Sequence, residues 1–128
     1  MRLLIDTHAL LWFIWDHTKL STKARDLMAD GNNDLLLSTA TLWEIAIKIS
    51  LGKLTLAEPY EIFMDSAVDA YDLSLLPITV KHASVLTDLP FHHRDPFDRL
   101  LVSQAIAEET PLVSGDATLD AYSIARVW

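Results

Sequence analysis

The sequence predicts an α/β fold in which a parallel sheet is covered by helices on both faces. Short apolar runs of strand length, Arg2 to Ile5, Leu35 to Leu37, Leu73 to Ile78 and Pro111 to Ser114, alternate with stretches of helical period. The run Leu35 to Leu37 is apolar at every position, the pattern of a strand buried on both sides. At 128 residues, 51% of them apolar, the chain suits a single domain over 1–128 with a substantial core.

Arg2 to Ile5 ends at Asp6, and Thr7 to Trp15 has helical length and composition, giving strand, turn, helix. That first helix carries Leu10 through Trp15 without a polar break, more apolar surface than one buried stripe needs. Either the helix is buried on two sides, or part of it meets another chain. Ser21 can cap a second helix through Ala29, and Gly31-Asn32-Asn33 stops it with left-handed turn chemistry. After Leu35 to Leu37, Ser38 and Thr39 open a third helix running to about Leu51, which Gly52 ends. Glu58-Pro59 precedes a fourth helix with an inward stripe of Tyr60, Phe63, Met64, Ala67 and Tyr71. Leu73 to Ile78 is the third strand, and Thr79 caps a fifth helix through Leu86. Asp95-Pro96 is a strong helix start, because the carboxylate can accept first-turn amides and proline loses no bond there. Pro111 to Ser114 is the next strand, Ala117 to Ala121 a short helical turn, and Ile124 to Trp128 an edge strand.

Composition removes several classes of function. With no cysteine there is no disulfide framework, thiolate zinc site or thiol nucleophile. The chain has only three glycines, none in a phosphate-loop spacing, so a nucleotide cofactor is not expected. No apolar run reaches the roughly 20 residues of a membrane span, and no leader opens the chain, so a soluble, cytoplasmic protein is expected. The net charge of −8 argues against a general nucleic-acid coating protein. It leaves room for a nucleic-acid enzyme whose carboxylates gather around a cation, and for a basic protein partner.

Separated acids carry the chemical signal. Asp6 and Asp116 each follow a predicted strand, where the crevice of an open parallel sheet lies. Asp98 stands in the first turn of the helix begun by Asp95-Pro96, and Glu44 lies among Leu42, Trp43, Ile45 and Ile47. Each has a plain structural alternative: an Asx turn or N-cap for Asp6, a first-turn acid favoured by the helix dipole for Asp98. Glu44 could close a capping box from Thr41, or pair with Lys48 one turn on. A helix beginning at Ser38 or Thr39, which we favour, breaks the box. The fold would then gather Asp6, Glu44, Asp98 and Asp116 at one sheet edge. Like charges so close need a counter-ion, and Mg²⁺ or Mn²⁺, which prefers oxygen ligands, is the natural one. Such a cluster predicts metal-assisted phosphodiester hydrolysis without a side-chain nucleophile.

The blocks LLIDTHALLWFI, TLWEIAIKISLGKL, HRDPFDRLLVSQA and PLVSGD, in this order and spacing, resemble the PIN-domain ribonucleases, in particular the VapC-like toxins of type II toxin-antitoxin systems. The resemblance implies a three-layer α/β/α sandwich with a central, mainly parallel sheet and a Mg²⁺- or Mn²⁺-dependent endoribonuclease. Its metal-binding and catalytic acids map to Asp6, Glu44, Asp98 and Asp116, of which Asp116 matches the more variable position. Asp95 is assigned to capping. Ser114 stands where many relatives have threonine, a hydroxyl that can orient a ligand or water. Arg94, Arg99, Lys48 and Lys53 are phosphate-contact candidates. The resemblance further implies an RNA substrate, a homodimer and a small antitoxin whose tail enters the groove. The surplus apolar surface around Trp12, Trp15 and Trp43 and the acidity agree with that. Two other readings compete: a haloacid-dehalogenase-like phosphatase with Asp6 as nucleophile, where His8 replaces the second acid of that motif, and a catalytically silent binding module on the same fold.

Overall fold

β1, Arg2–Ile5, forms the centre of the molecule: Leu3, Leu4 and Ile5 have no exposed surface. A computed structural model describes residues 1–128, and in it β1 is flanked on one side by β2 (Asp34–Ser38) and β3 (Ser74–Leu76), on the other by β4 (Leu112–Val113) and β5 (Arg126–Val127). The five-stranded sheet has the order β3-β2-β1-β4-β5 with every pairing parallel. Leu3 pairs with Leu35 and Ile5 with Val113. Six helices cover the sheet: α1 (Thr7–Ile14), α2 (Thr22–Ala29), α3 (Thr39–Ser50), α4 (Tyr60–Ala70), α5 (Val80–Thr87) and α6 (Pro96–Ala107).

Alternate strand residues point to opposite faces, and the core divides accordingly. Leu3, Ile5, Leu35, Leu37 and Val113 face α1 to α4, packing on Leu10, Met28, Ile45 and Phe63. Leu4, Leu36 and Leu112 face the other way, onto Leu101, Val102 and Ala105 of α6. The result is the three-layer α/β/α sandwich expected, and the two-sided burial explains why the strands carry uninterrupted leucine instead of a polar alternation. No helix is long and apolar enough to cross a membrane.

Helix starts follow the local chemistry. Ser21 accepts from the Ala24 amide, Ser38 from Ala40, Thr79 from His82, and Asp95 from Phe97 and Asp98. The fourth helix differs slightly from expectation: Pro59 is its N-cap and has no side chain to bond the first turn. The excess apolar surface of α1 largely finds partners inside the chain. Phe13 meets Tyr71 edge-on, and Trp12 packs against His8, His17 and Trp128, while Trp15 remains 43% exposed.

Strand order reverses at β1. The chain runs outward through β2 and β3, then returns to place β4 on the other side of β1. A ligand crevice in an open α/β sheet lies beyond the carboxyl ends of the strands at such a reversal, here between β1 and β4. Asp6 follows β1, and its amide donates to the Val113 carbonyl of β4 at 3.1 Å.

Candidate active site

Asp6 leaves the end of β1 and caps α1. Its Oδ1 accepts from the Ala9 amide at 2.7 Å, and the residue is 7% exposed. Burial pushes its carboxyl above the usual aspartate range, and the charge of Asp98 acts in the same direction. The Ser114 hydroxyl, the Ala9 amide and His8 oppose the shift. The capping role and a site role are therefore compatible, since one carboxylate oxygen is used by the helix and the other is not.

Asp95 takes over the capping of α6, accepting from the amides of Phe97 at 2.8 Å and Asp98 at 3.2 Å. Asp98 is thereby released from that duty. Its Oδ2 lies 2.8 Å from His93 Nε2. Desolvation raises the Asp98 carboxyl too; the bond from His93 resists, and the charges of Asp95 and Glu44 add to the rise. Asp116 follows β4 and caps the 3-10 turn Ala117–Ala121. The Thr118 hydroxyl, donating at 2.6 Å, holds its carboxyl below the ordinary range.

These groups converge. One ligand atom each from His93, Asp98 and Asp116 lie within 4.8 Å of one another. A crevice of about 250 Å³ is lined by Asp6, His8, Trp12, Asp98, Gly115 and Asp116. Acids 110 positions apart along the chain thus share one opening at the strand reversal.

Glu44 stands behind that opening and does not line it. α3 begins at Thr39 with Ser38 as N-cap, so the capping box from Thr41 does not form. Glu44 is 5% exposed, with Oε1 accepting from Thr7 Oγ1 at 2.7 Å and Oε2 paired with Lys48 Nζ at 2.8 Å. Thr7 and Lys48 satisfy the buried charge, as such a charge requires. Its field reaches Asp98.

The comparisons with known proteins agree with this architecture. The PIN domain family matches the chain over residues 3–125. The chain belongs to the PIN domain family. It is 37% identical over 71 residues to Ribonuclease VapC16 of Mycobacterium tuberculosis, a match covering 52% of this chain and 49% of that protein. The chain thus matches about half the length of this relative. The crystal structure of VapBC2 from Rickettsia felis, bound to a DNA fragment from their promoter, superposes with a TM-score of 0.74 at 18% identity, covering 99% of this chain and 98% of that one. FitAcB from Neisseria gonorrhoeae gives 0.68 at 12% identity, covering 98% and 96%. At such identities the structural likeness concerns the fold.

Within this PIN domain the other sequence-selected residues fall into separate places. Ser114 is fully buried beside Asp6, and its Oγ accepts from the Asp116 amide at 3.1 Å. It links the two strand-end acids. Lys48 is committed to Glu44. Arg94 and Arg99 do not join the acid crevice; they line a different cavity with Leu86, Thr87, Phe91 and Pro96. Arg99 is 5% exposed, donating to the carbonyls of Pro90 at 2.8 Å and Leu89 at 3.2 Å and to the Tyr122 hydroxyl at 3.3 Å. Lys53 is exposed just after the end of α3 and forms no ion pair.

Four site residues escaped the sequence reading: His8, Trp12, His93 and Gly115. His93 carries no motif of its own, but it lies five residues before Asp98 in the loop entering a helix already capped by Asp95, which points it toward the acid. Trp12 was assigned to surplus apolar surface, yet its indole walls the crevice. At Gly115 a Cβ would sit 2.9 Å from the Trp128 ring, so the missing side chain is what lets that indole close over the β4 end.

The donor set fits a hard divalent cation. Carboxylates from Asp6, Asp98 and Asp116 reach one crevice, and burial disfavours the ionised form of the first two. A cation there offsets a cost that the chain otherwise carries alone.

Proposed function

We propose that this PIN domain is a Mg²⁺- or Mn²⁺-dependent endoribonuclease acting as the toxin of a type II toxin-antitoxin pair. The observation that carries the reading is the meeting of Asp6, Asp98 and Asp116 in one crevice at the strand reversal. The VapC16 ribonuclease relative and the VapBC2 and FitAcB neighbours support it.

In this proposal Asp6, Asp98 and Asp116 hold the cation, with Glu44 the fourth acid contributing charge from behind. A divalent cation held by these carboxylates would supply Lewis-acid polarisation of a phosphate and a lowered pKa for water. The chain's own groups prepare that step. The Ala9 amide and Ser114 hydroxyl fix the Asp6 carboxylate. Asp95 keeps the first-turn amides of α6 from engaging Asp98, and Thr118 orients Asp116. His93 Nε2 is hydrogen-bonded to Asp98 at 2.8 Å and lies 3.9 Å from Asp116, positioning the Asp98 carboxylate. Trp12 and His8 line the crevice beside Asp6 and Asp98.

The proposal extends to a cytoplasmic protein regulated by an antitoxin and acting as a homodimer. Trp43, Leu51 and Ile62 are 65%, 62% and 53% exposed, large apolar groups of the kind that protein partners cover. The test is cleavage of single-stranded RNA with Mn²⁺ or Mg²⁺, using Asp98→Asn as control. Cutting by the parent and its loss in the variant support the reading. Phosphatase activity without RNA cutting would favour the dehalogenase-like alternative, and inertness the silent module.

A further inference from the structure

We propose that the cavity between the end of α5 and the start of α6 is a nucleotide-binding subsite for RNA flanking the scissile position, with Phe91 stacking a base and Arg94 facing its phosphate, above the buried positive charge of Arg99. This rests on the nuclease reading above and adds where the strand runs once it leaves the acid crevice.

Arg99 is the starting point. It is 5% exposed, yet no carboxylate pairs with it; every other arginine and lysine that forms an ion pair here does so near the surface or on Glu44. Its three hydrogen bonds go to two carbonyls and a hydroxyl, which leaves two of the five guanidinium donors without a partner in the chain. A buried cation bonded only to neutral acceptors has no counter-charge beside it. Arg99 lines a cavity of about 370 Å³, where Arg94, exposed and without an ion pair, supplies a second positive charge. In a chain of net charge −8, two unneutralised arginines at one cavity form a local positive site.

Phe91 adds the second element. The Arg99 guanidinium carbon lies 3.8 Å from the centroid of its ring, which fixes the ring on one side. The residue is nevertheless 84% exposed, so the opposite face is presented to solvent. A phenyl ring held on one face by a buried guanidinium and open on the other, beside the exposed Arg94, is the combination that binds single-stranded nucleic acid by stacking and charge. The loop that carries it, Phe91 to Arg94, also carries His93, whose Nε2 is bonded to Asp98. Phe91 and the imidazole bonded to Asp98 are therefore two residues apart on one short segment.

The experiment is fluorescence anisotropy of a labelled single-stranded RNA 12-mer with the full chain in chelator, where cleavage cannot consume the probe. Both substitutions, Phe91→Ala and Arg94→Gln, lie on exposed side chains, and circular dichroism confirms folding. Phe91→Ala is expected to weaken binding roughly fivefold or more with the salt dependence unchanged. Arg94→Gln is expected to weaken it and to reduce the slope of log affinity against log salt by about 0.7. Unchanged affinity in both variants would overturn the proposal. Since the readout is binding, a chain that binds RNA through Phe91 but never cuts it would defeat the nuclease reading and leave the subsite standing.

Discussion

His93 Nε2 lies 2.8 Å from Asp98 Oδ2 and 3.9 Å from Asp116 Oδ2, so a single imidazole stands between two of the carboxylates that converge at the end of β4. Without a cation, it is the group that moderates their repulsion. A hydrogen bond to a charged partner contributes about 1.5–3 kcal/mol when partly buried. His93→Ala should therefore lower the melting temperature of the metal-free chain by several degrees and enlarge the stabilisation gained on adding Mn²⁺. Thermal melts with and without Mn²⁺ check both. Identical melts in the two chains would show that the imidazole carries no such role.

Asp6 and Asp98 are both shifted upward by burial, which sets the sign of their pH dependence. An acid whose folded pKa exceeds its unfolded one stabilises the fold most below the unfolded value and loses that contribution as pH rises through the folded value. At neutral pH without metal both carboxylates therefore cost stability. Asp6→Asn keeps the oxygen that accepts from Ala9 and removes the charge. It should raise the metal-free melting temperature at pH 7 by on the order of 3 °C and have little effect near pH 3. A lowered melting temperature at neutral pH would refute the assignment of a burial cost to this carboxylate.

Glu108 behaves in the opposite sense. His82 is fully buried, with Nδ1 accepting from the Thr79 amide at 3.0 Å, which leaves the proton on Nε2 to donate to Glu108 at 2.9 Å. That bond lowers the Glu108 carboxyl, aided by Arg2. Its contribution is present above the unfolded pKa and lost as pH falls through the folded one. Glu108→Gln should reduce stability at pH 7 and flatten the acid limb of a stability profile between neutral and low pH. A profile parallel to the parent's would contradict the linkage.

Glu44→Gln tests the acid behind the crevice. The amide retains an oxygen for Thr7 but gives up the charge paired with Lys48. RNA cleavage is expected to disappear while circular dichroism and gel filtration stay those of the parent. Retained cleavage would leave Glu44 a purely structural ion pair.

Much of this arrangement was legible in the residues because it is local. Strands apolar throughout, such as Leu35 to Leu37, announce two-sided burial, and Asp95-Pro96 announces a helix start; both are nearest-neighbour chemistry. Asp6 and Asp116 could be placed at one sheet edge because a parallel strand delivers whatever follows it to its carboxyl end. Arg99 was harder. The family resemblance offered it as a phosphate contact, but one position along a helix turns a side chain by about 100°, and that turn carries it into the core under Phe91 and away from the acids. His93 depended on the path of an irregular loop, and Trp12 on its meeting with Trp128, the last residue of the chain. No periodicity encodes either.

The central claim, that acids distant in sequence share one divalent cation, is tested most directly by electron paramagnetic resonance titration of Mn²⁺ into the parent and Asp98→Asn chains. The parent should sequester Mn²⁺ at low stoichiometry, with the variant at least about tenfold weaker. Equal affinity in the two chains, or no sequestration by the parent, would contradict it.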